Sequence, residues 1–100
     1  MSAVQKRKKK TIKVASRLDT AEAPRLFASL LRHRGMDVKV DLSQVHWIGA
    51  ACAEVLVSAT RAGEQSETCI SLLNPSAEFE AGLEVLGLTD WFKSQGAAQL

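Results

Sequence analysis

From Thr11 to Ala15 apolar and polar positions alternate, with Ile12 and Val14 on one side and Thr11, Lys13 and Ala15 on the other. That period of two predicts a short half-buried strand. Asp19 and Thr20 then offer caps for a first helix, with Glu22 three residues after Asp19 as in a capping box. Pro24 fits only a first turn. Ala23, Leu26, Phe27, Leu30 and Leu31 follow at helical spacing and predict one apolar stripe, with Arg25, Arg32 and Arg34 outside it. Arg32, His33 and Arg34 suit the negative end of a helix, and Gly35 supplies its stop. His33 is read as a solvated helix-end residue.

The stretch from Val38 to Gly63 organises the chain. Val38, Val40 and Leu42 alternate with Lys39 and Asp41, and Val45, Trp47 and Ile48 carry apolar character on to Gly49. A helix is predicted from Ala50 to Ala62, with Ala51, Val55, Ala59 and Ala62 as a ridge of small residues suited to a tight core. Gly63 is read as its stop. The helix opens on Ala50, Ala51, Cys52 and Ala53, with no oxygen-bearing cap before them. Its first N–H groups are therefore predicted to be bare enough for another surface to approach.

Further on, Cys69–Leu73 predicts a third strand, and Ser76 caps a last helix in which Phe79, Leu83 and Leu86 share a face. Gly87 ends that helix, and Thr89–Phe92 forms a short extra turn whose aromatics close the core. Strand, helix, strand, helix, strand, helix predicts an α/β fold with crossovers and a small, mainly parallel sheet.

One hundred residues suit one domain. No apolar run approaches the ~20 residues that span a bilayer, and no apolar segment follows the basic start as a secretory signal requires. The expected compartment is the cytoplasm. There Cys52 and Cys69 stay reduced, and with His33 and His46 they show no metal-ligand spacing. No metal and no cofactor are expected. Six of the 13 basic side chains lie in residues 1–13, where there is no acid, so the other 7 face 11 acids and carry −4. Residues 1–10 are read as a basic, disordered arm, residues 11–93 as the domain and residues 94–100 as a flexible tail. A solvated arm aids solubility; a basic arm also suits an acidic protein or an anionic lipid surface. No aromatic interleaves the lysines, so base stacking is not indicated and no nucleic acid is expected.

Asp41-Leu42-Ser43, Val45 and Trp47-Ile48 resemble the strand that opens the central loop of STAS domains, as found in anti-sigma factor antagonists. Leu18-Asp19-Thr20 with Ala23-Pro24, Leu72 to Ser76, and Leu86-Gly87-Leu88 with Trp91-Phe92 extend the resemblance over residues 11–93. It implies a mixed sheet with helices mostly on one face. It also implies two strands before the first helix, for which this chain has room for only one well-formed strand. In the family the loop reads Asp-Ser-Ser-Gly and its second serine accepts phosphate. Gly49, Ala50, Ala51 and Cys52 stand there instead, and Ala51, in the phosphoacceptor place, has no hydroxyl to phosphorylate. Ser43, the nearest upstream hydroxyl, is read as a loop cap.

The resemblance implies a non-enzymatic interaction module of bacterial signalling. It would dock constitutively on a histidine-kinase-like ATPase, either an anti-sigma kinase or the chemotaxis kinase, through Ser43, His46, Trp47, Gly49, Ala50, Ala51, Cys52 and Glu54. The alternative is a STAS subunit or regulator of a membrane (lipid) transport ATPase complex, touching the membrane only peripherally. An enzyme is not expected, because no nucleophile and base converge.

Overall fold

The structure is a computed structural model that describes residues 8–95. Strand β1 (Lys9–Lys13), strand β3 (Asp37–Asp41) and strand β5 (Ile70–Leu73) form a three-stranded sheet with β3 in the middle. Both pairings are parallel, with Ile12 opposite Val40 and Val40 opposite Leu72. A second pairing joins the two-residue strands β2 (Arg17–Leu18) and β4 (Trp47–Ile48), also in parallel. The crossovers are helix α1 (Ala23–Arg32) and helix α2 (Ala50–Gln65); helix α3 (Ala77–Val85) and helix α4 (Thr89–Ser94) complete the chain.

The sheet's two faces differ as the alternation predicts. Ile12, Val38, Val40 and Leu72 are buried against the helices. The opposite face sets Lys9 beside Asp37, Thr11 beside Lys39 and Lys13 beside Asp41, opposite-charge or polar neighbours that a solvated face accepts. Strand β1 begins at Lys9, so Lys9 and Lys10 belong to the sheet and not to a disordered arm. Residues 1–7 of the expected arm and 96–100 of the expected tail lie outside the described residues. The short β2 takes the place of the second strand implied before the first helix. It does so with only two residues, pinned by His46 N–H donating to Ser16 O and Gly49 N–H donating to Leu18 O.

The caps fall where they were expected. Glu22 N–H donates to Asp19 Oδ1 at 3.2 Å, closing a 3-10 turn (Thr20–Glu22) that runs into α1. Phe79 N–H donates to Ser76 Oγ at 3.0 Å, while that hydroxyl donates to Val45 O at 2.6 Å and ties α3 to the β3–β4 loop. Gly35 and Gly87 both have positive φ, the conformation that a residue without Cβ adopts at no cost.

Three packing expectations are corrected. In α1 only Leu26 and Leu30 are buried; Phe27 and Leu31 are 52% and 46% exposed. In α2 the core face is Cys52, Ala53, Leu56, Thr60 and Gly63. The ridge of Val55, Ala59 and Ala62 instead lines a groove between α1 and α2. In both helices the apolar stripe is wider than the buried face, and the surplus lines this groove. Gly63, finally, does not stop α2. It lies within the helix, where a Cβ would come 3.1 Å from Thr68 O, and its own carbonyl accepts from Thr68 N–H at 2.8 Å. The missing side chain lets the returning chain close onto the helix.

The core continues through Phe79, Leu83 and Phe92, all fully buried, with Trp91 edge-on to Phe92 at 5.0 Å between centroids. Arg61 of α2 lies over the outer face of Trp91, 5.6 Å from its centroid.

Candidate docking surface

The start of α2 has the bareness that its sequence predicts. Gly49 holds the N-cap position in extended backbone, and no side chain caps the helix. Ala50 is exposed, Gly49 and Ala51 are half-buried, and Glu54 projects to solvent one turn on. Cys52 does not belong to this surface. Its side chain is fully buried and its thiol donates to Asp19 O at 3.3 Å. Helix periodicity is the reason: Cys52 falls on the same side as Leu56 and Gly63, facing the sheet. Burial, and then the carboxylates of Asp19 and Glu22, push the Cys52 thiol above its ordinary range. It therefore stays protonated at neutral pH and is no nucleophile. Cys69, just past the far end of α2, is exposed and also free.

Trp47 forms the wall of the site. Its indole is 45% exposed and lies over Gly49, where a Cβ would come 2.7 Å from the ring. That close approach is what the glycine permits, since its φ of −106° is open to any residue. The guanidinium of Arg17 sits over the same ring, 4.8 Å from the centroid, and is held by Asp19 at 3.5 Å. The parallel register explains the pairing, because Arg17 is the strand partner of Trp47. His46 points to the other side, 3.8 Å from the Glu78 carboxylate.

Ser43 is exposed, but the cap in this loop is Asp41. The Asp41 carboxylate accepts from Ser43 N–H at 3.0 Å. Hydrogen bonds from the Ser43 backbone and side chain, with Lys13 nearby, hold Asp41 below the usual carboxylate range.

The structure thus brings Trp47, Gly49, Ala50, Ala51 and Glu54 together around the α2 start, with His46 and Ser43 on the loop that leads to it. It adds Arg17, Asp19 and Glu78, which sequence reasoning missed. Their signal is the β2–β4 register and the α3 contact, and neither shows as a local pattern. Among the described residues no group of three or more His, Cys, Asp or Glu side chains is placed to hold a metal ion.

Gly49→Ala tests the geometry. The new methyl is expected to displace the Trp47 indole from Arg17 while the fold stays intact. In a Trp91→Phe background, the Trp47 emission maximum should move to longer wavelength as the ring gains water. Unchanged emission would place the indole elsewhere.

The family model described as "Mlab, STAS domain" matches residues 1–94. Comparison with curated proteins gave no significant match, and comparison with solved structures gave none either.

Proposed function

Because the chain belongs to the STAS-domain family, a family of interaction modules, we propose that it works by constitutive docking of a protein partner on the α2 start, without catalysis and without phosphate control. The partner class we infer is a histidine-kinase-like ATPase in the cytoplasm, an anti-sigma kinase or a chemotaxis kinase. One observation carries the reading. The surface around the α2 start is small, with Ala50 exposed and Gly49 and Ala51 half-buried, and Ala51, in the family's phosphoacceptor place, has only a methyl group there. Phosphoryl transfer needs a hydroxyl in line with the terminal phosphate, so this position stays uncharged whatever the kinase does.

A patch of Gly49, Ala50 and Ala51 favours close backbone approach. Trp47, backed by Arg17, supplies the aromatic anchor that protein interfaces concentrate at their centres. A second reading, a subunit or regulator of a membrane (lipid) transport ATPase complex, is favoured by the description of the matching family model, which names Mlab and not an anti-sigma factor antagonist. Both readings use the same surface; they differ in the ATPase that meets it.

Ala51→Glu tests the shared claim. A carboxylate placed at the patch is expected to weaken partner binding at least fivefold by titration calorimetry, with the circular dichroism spectrum unchanged. An unaltered dissociation constant would put the interface elsewhere. Binding assays with a purified kinase and with a purified transport ATPase separate the two readings. Incubation of the wild-type chain with ATP and the kinase should leave residues 49–52 unmodified by mass spectrometry.

A further inference from the structure

A second apolar feature lies away from the α2 start. Between the C-terminal half of α1 and the length of α2 from Val55 to Ser66 there is a groove of about 270 Å³. Its walls include Phe27, Leu31, Met36, Val55, Ala59 and Ile70. Phe27 and Leu31 are held about half exposed there, which costs hydrophobic free energy that an occupant would recover. Met36 and Phe27 can readjust to a ligand's shape.

The polar groups of the lining are unevenly charged. Arg34 and His33 stand just past the C-terminal end of α1, hydroxyls of Ser58, Ser66 and Thr68 lie on the α2 side, and among the described residues no acidic one lines the groove. The His33 Nδ1 is already engaged with Ser29 O at 2.9 Å, which leaves Nε2 as the ring's remaining polar atom. Arg34 lies in the turn just past the C-terminal end of α1, exposed and at the groove's edge. A mostly apolar pocket with a few placed polar groups is the general form of a small-molecule site. Its single strong charge calls for an anionic head beside an apolar body.

Size narrows the ligand further. A cavity of about 150 Å³ holds benzene. The groove therefore has room for one chain of about ten carbons and not for the paired chains of a phospholipid. We propose that this groove binds a free medium-chain fatty acid, its tail between α1 and α2 and its carboxylate on Arg34. The proposal does not rest on the docking surface, and either can fail without the other.

The full-length protein should be titrated with decanoate, decanol and decyltrimethylammonium, each below its micelle concentration. Melting temperature and amide chemical shifts are the two readouts. Decanoate is expected to raise the melting temperature and to shift the amides of Ala59, Ala62 and Ile70. Decanol should bind at least tenfold more weakly, and the cationic amphiphile more weakly still. Ala59→Phe fills the groove and should abolish the decanoate shifts. Leu31→Asp, at an exposed position, serves the same purpose if the first variant does not fold. Arg34→Gln, which removes the charge without reversing it, should bring decanoate down to the level of decanol. Decanoate without effect would overturn the proposal. So would shifts confined to other residues, equal binding of all three amphiphiles, or decanoate binding that survives both groove variants.

Discussion

Phe79→Ala is expected to destabilise the fold by about 3–5 kcal/mol. The ring is fully buried on α3, three residues after the Ser76 cap that anchors the helix. It lies in the same core as Leu83 and Phe92, the cluster that joins α3 and α4 to the body of the domain. Truncation removes the ring's transfer free energy and leaves a cavity that these elements cannot fill. Domains of this size are stable by only about 5–15 kcal/mol, so the loss is a large fraction of the total. At about 4–8 °C per kcal/mol, the melting temperature should fall by about 12–40 °C. Guanidinium unfolding followed by circular dichroism checks this. A loss below about 1 kcal/mol would mean that α3 is not packed as described.

Gly82→Ala is expected to destabilise by about 2 kcal/mol, although alanine is the better helix former by about 1 kcal/mol. A Cβ at this position would come 2.5 Å from Ile48 Cγ2, closer than real carbon atoms approach. Ile48 is itself buried in β4, where α3 packs, and has little room to retreat. Overpacking of this kind typically costs about 1–3 kcal/mol. The cause can be isolated by a double-mutant cycle. In an Ile48→Ala background the obstructing methyl is gone, and Gly82→Ala should become neutral or stabilising. A denaturation midpoint that rises in the wild-type background would show that the helix stands farther from β4.

The elements with strong local signals were legible before any coordinates. The alternation through Val38, Val40 and Leu42, the caps at Asp19 and Ser76 and the turns at Gly35 and Gly87 each follow from a local rule. The alternation of strands and helices led to the parallel sheet, and the motif resemblance placed Ala51 at the head of α2. What escaped was set by distance in space. Phe27 and Leu31 fit an apolar stripe, and only the packing in three dimensions leaves them half exposed in a groove. Gly63 looks like a stop signal, yet its role is to admit the Thr68 backbone. Cys52 sits in the exposed loop's sequence but turns inward by helical phase. Arg17 had no visible tie to Trp47 until β2 and β4 were paired.

The sheet order has a consequence for how the chain acquires its structure. Among the described residues no two neighbouring strands are joined by a tight turn; Lys9 meets Asp37, and Val38 meets Ile70, each across a helix. Such long closures must be made before any ladder rewards them, which slows folding relative to helical bundles. During synthesis β1 emerges first and waits without a mate until β3 has left the ribosome. Because β3 borders both other strands, its arrival is the event on which assembly turns.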